Sequence, residues 1–197
     1  MSITIIFATN NLHKIAEIKK IVPHDFNIIT LKEAGIDKDI PEPYDTLEEN
    51  ASAKSSTIHQ LTQQNCFSED TGLEVAALNG APGVKSARYA GEGKNFEENF
   101  NKLLQNMQGK TERSARFRTI VSLIWNNEEH YFEGVSEGNI IDAPRGEKGF
   151  GYDPVFVPDG SDKTFAEMSL EEKNVFSHRR KATDQLVAFL KEKAGVH

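Results

Sequence analysis

Apolar and polar positions along the chain switch between two periods, and the switches mark the elements. Residues 3–8, ITIIFA, form an unbroken apolar and β-branched run, which predicts a buried first strand with Met1-Ser2 as its lead-in. A polar stretch, Thr9-Asn10-Asn11-Leu12-His13, follows; Ile15, Ile18, Ile21 and Val22 then recur on one helical face. Residues 26–30 predict a second short strand, and 31–45 an irregular segment around Pro41-Glu42-Pro43. Thr46-Leu47-Glu48-Glu49 has capping-box spacing and opens a helix to about residue 63. Residues 66–78 read as two short strands around Glu69-Asp70-Thr71-Gly72. A helix opening at Asn95 places Phe96, Phe100, Leu103, Leu104 and Met107 in the core. Residues 116–125 and 130–135 predict a hairpin closed near Asn126-Asn127, and 155–157 a further strand. Ser169-Leu170-Glu171-Glu172 is a second capping box, and Ala182, Leu186, Phe189 and Leu190 stripe the last helix. The alternation lacks a strict βαβ rhythm, so the expected fold class is α/β or α+β with a mixed sheet.

Composition narrows the function classes. The 197 residues show no repeat, linker or low-complexity tract, so a single domain over 1–197 is expected. Thirty acids against 23 Lys and Arg leave a net charge of −7, which argues against a general nucleic-acid or anionic-membrane binder. A small anionic ligand needs only a local basic site. Cys66 is the only cysteine, which excludes an intramolecular disulfide and a multi-cysteine metal site. The amino end has no basic start or cleavage-type site, and no run approaches about 18 apolar residues. A soluble cytoplasmic protein is the expectation.

Several residues sit oddly for an ordinary core. Lys54 falls inside the apolar face set by Leu47, Ala51, Ile58 and Leu61. It is either a snorkelling side chain or an ammonium aimed at a bound anion. Glu69 and Asp70 adjoin on an extended backbone, so they cannot point the same way; one can enter a site while the other supports it. Paired carboxylates suit magnesium, a hard cation that takes oxygen ligands together with substrate phosphates, although Asp-Thr-Gly is also ordinary turn composition. Glu42 is presented rigidly between two prolines. In Gly149-Phe150-Gly151-Tyr152-Asp153-Pro154, glycines allow close approach, Phe150 offers a stacking face and Asp153 offers acceptors. A hairpin turn plugging the core explains that hexapeptide equally well. Between 173 and 181 stand Lys173, His178, Arg179, Arg180 and Lys181 with no acid, and removing those four cations leaves −11 elsewhere. That run straddles a predicted helix start near Ser177, where backbone N–H groups favour anions. The 9–14 loop ending in Lys14 follows the same logic without the glycines of a Walker A loop.

Together and in order, these blocks carry a specific pattern: FATNNLHK at 7–14, ENASAK at 49–54, SEDTGLEVAALNGAPGVKSARYAG at 68–91, GFGYDPVFVP at 149–158 and EEKNVFSHRRKA at 171–182. The chain resembles the inosine triphosphate pyrophosphatase family, the dITP/XTP pyrophosphatases that cleave aberrant purine nucleoside triphosphates. The resemblance implies an elongated mixed sheet, helices in two lobes around a central substrate cleft, and a homodimer. It implies Mg²⁺ as cofactor, Asp70 as catalytic acid and metal ligand, Glu42 in the metal site and Glu69 in support. It assigns Thr9, Asn10, Asn11, Leu12, His13, Lys14, Lys54 and Thr71 to the triphosphate. Phe150, Gly151, Tyr152, Asp153, Lys173, His178 and Arg179 would face the base. The partner expected is a small purine nucleotide, with no nucleic acid and no membrane. Asn10, Glu69 and Thr71 depart from common family residues; Asn10 adds bulk near the phosphates, and Glu69 reaches one methylene further than aspartate.

Overall fold

The computed structural model describes residues 3–38 and 40–195. Met1 and Ser2, Asp39 of the segment expected to be irregular, and the last two residues of the expected 1–197 domain lie outside the described residues.

Strand β1, Ile3–Phe7, is followed by helix α1, Leu12–Ile21, and β2, Phe26–Thr30. The β1–α1–β2 passage makes the two strands parallel, with Ile5 opposite Ile28. Helix α2, Leu47–Thr62, starts where Thr46 accepts a hydrogen bond from the Glu49 amide. Strand β3, Cys66–Val75, crosses the span expected to hold two strands as one continuous ladder of ten residues. Asp-Thr-Gly is here an extended segment, because β3 has pairing partners on its flanks and the ladder satisfies the backbone without a turn.

After β4, Pro82–Gly83, helix α3 runs Phe96–Asn106 from an Asn95 cap. Leu103 and Met107 are buried as expected, whereas Phe96 is exposed. Strands β5, Ser114–Trp125, and β6, Glu128–Ile140, are longer than periodicity suggested. They are joined by Asn126 and Asn127, both at positive φ (50° and 69°), the backbone a two-residue hairpin loop demands. Strand β7, Phe156–Pro158, is followed by α4, Leu170–Phe176, with a full capping box on Ser169, and α5, His178–Ala194.

Among the described residues, seven strands form one mixed sheet in the order β2-β1-β3-β5-β6-β7, with β4 on β3. β1 pairs in parallel with β2 and β3, while β3–β4 and β6–β7 are antiparallel. The expected mixed α/β class is what the chain adopts. Among the described residues, no helix is long and apolar enough to cross a membrane.

Contacts divide the chain into two compact units. Unit 1 comprises Met1–Asp70, Thr119–Gly134 and Arg179–His197; unit 2 comprises Thr71–Arg118 and Val135–His178. The core of unit 1 packs Ile5, Phe7, Ile18, Phe67, Leu123, Leu186 and Leu190, with Phe7 and Phe67 stacked at 4.4 Å. The core of unit 2 gathers Leu73, Leu103, Met107, Phe117, Phe156 and Phe165 around Tyr152.

Candidate active site

In unit 1 the charged residues come from α1, α2, β3 and α5 and from the irregular segment that carries Glu42. Lys54 is buried on α2 with Leu47, Ala51 and Ile58 of the expected face, whereas Leu61, in the helix's last turn, is exposed. It does not snorkel. Its ammonium donates to the Glu42 carboxylate and, at 2.7 Å, to the Glu69 carbonyl, and Asp70 Oδ1 lies 3.6 Å away. Burial by itself would lower the Lys54 pKa, but Asp70 and then Glu42 outweigh it and raise the pKa, keeping the amine charged.

Glu69 and Asp70 use different partners, as adjacent positions on a strand require. The Glu69 carboxylate is clamped by Arg179 Nε at 2.8 and 3.0 Å and reached by Lys14 Nζ at 3.0 Å. Arg179 extends in turn to Glu17 on α1 at 2.5 Å. Burial would raise the Glu69 pKa, yet Arg179 and Lys14 hold it well below the usual carboxylate range. Burial would lower the Arg179 pKa, but Glu69 and then Glu17 raise it. Counting these contacts, three cations (Lys14, Lys54, Arg179) meet four carboxylates (Glu17, Glu42, Glu69, Asp70).

The 9–14 loop is organised by its own side chains. Thr9 Oγ1 accepts from the Asn11 amide at 3.1 Å, and Asn11 Oδ1 accepts from the amides of His13 and Lys14 at 3.0 and 3.2 Å. Two donors at the α1 amino end are therefore already engaged by the cap. Leu12 is 77% exposed, and the Asn10 and His13 side chains also face outward.

Unit 2 holds the 149–153 turn. Gly149 is at φ +75°, and a Cβ there would collide with Asp153 Oδ2, so glycine is required. That oxygen accepts from the Phe150 amide at 3.0 Å and from Lys173 Nζ at 2.8 Å. The ammonium also lies 5.3 Å from the ring centres of Phe150 and Phe165, a cation–π geometry. Gly151 supplies the second positive φ of the turn (64°). Tyr152 points into the core, and its hydroxyl donates to the Ser86 carbonyl at 2.7 Å. Burial pushes its pKa upward, so it stays a neutral donor. Thr71, next to Asp70 on β3, is half-buried.

His178 and Arg179 were expected to face the base together. The structure sends them to different places: His178 is buried in unit 2, stacked on Phe117 at 4.6 Å and 11°, while Arg179 serves the Glu69–Glu17 cluster of unit 1. Successive residues on a helix point about 100° apart, so neighbours in a motif need not share a surface. Sequence reading missed Glu17, whose position one turn after Lys14 on α1 was its only signal.

A hard divalent cation fits the unit 1 donors. Glu42 and Asp70 offer carboxylate oxygens around one ammonium, and magnesium is commonly held by one or two carboxylates with substrate phosphates completing the shell. Among the described residues no group of three or more His, Cys, Asp or Glu stands ready to hold an ion.

Comparison with known proteins gives a consistent family. Residues 5–189 match the model of the Ham1 family. A dITP/XTP pyrophosphatase of Flavobacterium psychrophilum is 48% identical over 187 residues, covering 95% of this chain and 98% of the relative. Another protein of that name, from Porphyromonas gingivalis, is 50% identical and covers 94% and 96%. The solved structure of the Staphylococcus aureus Ham1 protein superimposes with a TM-score of 0.88 at 43% identity, covering 96% and 99%.

Proposed function

The chain belongs to the Ham1 family, and on that premise we propose that it hydrolyses aberrant purine nucleoside triphosphates (dITP, XTP and ITP) to the monophosphate and pyrophosphate with Mg²⁺. The observation that carries the reading is the buried Lys54 ammonium held between Glu42 and Asp70. A folding core has no use for three charges there, whereas a polyanion and its counter-ion would exchange for these internal partners. Names of near full-length relatives at 48 and 50% identity support the substrate class.

The reaction adds water across the α–β phosphoanhydride: the water oxygen bonds to the α-phosphorus, and the bond to the bridging oxygen of pyrophosphate breaks. Asp70 orients the attacking water and takes its proton. Lys14 and Lys54 turn from their carboxylates to phosphate oxygens and hold the charge that gathers on the leaving pyrophosphate. Arg179 keeps Glu69 compensated when Lys14 leaves it. Glu42 and Asp70 would hold Mg²⁺, which when bound neutralises phosphate charge and polarises the anhydride. Thr9, Asn10 and Asn11 shape the loop that presents Lys14, the Leu12 and His13 positions contribute through their backbone, and Thr71 adds a hydroxyl.

Base choice rests on unit 2. Phe150 offers a stacking face, and Lys173 beside it is a donor without acceptor capacity. A 6-oxo purine accepts from such a donor, whereas the 6-amino group of adenine leaves it unmatched. Asp153 and Gly151 hold the turn, Tyr152 anchors it, and His178 backs it through Phe117. Both units belong to one catalytic domain in this reading, and the family resemblance supports a homodimer acting in the cytoplasm on a small-molecule substrate.

The test is pyrophosphate release from ATP, GTP, ITP, XTP and dUTP with Mg²⁺. Release from ITP and XTP, far above ATP, is expected. Orthophosphate as the first product would refute attack at the α-phosphorus, and nucleotide-dependent stabilisation without turnover would make the protein a binding module.

A further inference from the structure

Phe96 is where the helical pattern of α3 and its structure part company. The pattern puts Phe96 in the core with Leu103 and Met107, yet its ring is at the first position of the helix and 38% exposed. A single exposed phenylalanine is commonplace. This one is not isolated: its ring centre lies 5.9 Å from that of Phe150, at an interplanar angle of 49°. Phe150 is itself half-buried and rigidly set, since its amide is tied to Asp153 and Lys173 stands beside its ring.

We propose that Phe96 is a base-binding residue that extends the Phe150 face into a two-ring wall for the bicyclic purine of the substrate. The inference rests on the reading of the 149–153 turn as the base site. Rings tilted at 49° do not cover one another face to face, so the pair is an angled apolar surface and not a closed stack. A pyrimidine is covered by one phenyl ring. A purine is longer by a fused five-membered ring, and the second phenyl adds apolar surface along that longer dimension. Phe96 therefore selects by size, while Lys173 selects by hydrogen-bonding pattern, and the two act on different features of the same base.

The contribution differs from packing because it needs a π-face at position 96. Leucine keeps the apolar bulk against Phe150 and loses stacking; tyrosine keeps the ring. Steady-state kinetics of Phe96→Leu should show KM for XTP raised about tenfold, the scale of losing one base–aromatic contact, with kcat within twofold. KM for dUTP should be unmoved, and Phe96→Tyr should match the parent chain. Equal KM for XTP in Phe96→Leu and the parent, or equal rises for XTP and dUTP, would overturn the inference. Phe150→Ala, measured alongside, separates the two levels. If it raises KM while Phe96→Leu does not, the base site stands and the role of Phe96 falls. If neither variant changes KM, the base-site reading falls and this inference with it.

Discussion

The two units build polar sites in opposite ways. Unit 1 crowds seven charged side chains into one network, buried at Lys54, Glu69, Asp70 and Arg179 and partly open at Lys14, Glu17 and Glu42, where each ammonium or guanidinium touches at least one carboxylate. Unit 2 has one buried pair, Lys173 and Asp153, set among aromatic rings. A network of many charges tolerates exchange of partners, because a cation that turns away leaves its carboxylate another partner, although deleting a shared charge strands several groups at once. A single pair among rings has no such reserve and fixes one geometry. The first arrangement suits a multiply charged ligand and its counter-ion; the second suits a flat, neutral, hydrogen-bonding one.

That contrast can be broken most severely at Asp70. Asp70→Asn keeps size and loses the proton acceptor, and pyrophosphate release should fall about 10⁴-fold while nucleotide binding persists. Activity within tenfold of the parent would remove Asp70 from the chemistry. Glu69→Gln strikes the network itself by leaving Arg179 and Lys14 without their shared carboxylate. A loss of about 3–5 kcal/mol in denaturant unfolding is expected. The sign with pH follows from its lowered pKa: the Glu69 contribution is complete above the unfolded value near 4.5 and is lost as pH falls below it towards the folded value. The variant should accordingly show a flatter loss of stability through that acid range than the parent.

Asp153→Asn tests the fixed pair of unit 2. Weakening the Lys173 contact and the lock on the Phe150 amide should cost about 1–3 kcal/mol of stability and raise KM for XTP more than it lowers kcat. An equal fall in kcat would mean that the turn takes part in the chemistry. Cys66 gives the smallest effect. Its buried thiol donates to the Ser55 carbonyl beside Lys54, and burial pushes its pKa up to about 12. The unfolded chain loses this proton near pH 8.5, so stability should decline above about pH 9 as the folded state withholds it. Cys66→Ala should remove that part of the decline, and in the parent a thiol reagent at pH 8 should react far faster in denaturant than in buffer. Rapid labelling of the folded chain would show that water reaches the support beneath Lys54.

Much of this was legible because local rules acted without competition. The Lys54 position in an apolar helical face marked it as unusual, and the Thr46 and Ser169 caps start helices where their spacing says. The divergence of Glu69 from Asp70 followed from strand geometry alone. Two readings failed where surroundings overrode a local preference. Residues 66–78 were read as interrupted because Asp-Thr-Gly favours turns, but neighbouring strands extended the ladder through it. Phe96 had core periodicity at a helix end, where a hydrophobic side chain can just as well lie outside. His178 and Arg179 form one motif in sequence and serve two units in space.

The sequence by itself determined most of the elements, where two helices begin, that a lysine and two acids are out of place, and which family pattern they follow. Those features depend on near neighbours, through backbone sterics, helical period and short-range capping. Only the tertiary structure decided which charge answers which. Glu17 joins Arg179 from 162 residues away, and Glu69 joins it from 110. Coulomb and hydrogen-bond partners are set by distance in space, and no local period encodes a distance across the chain.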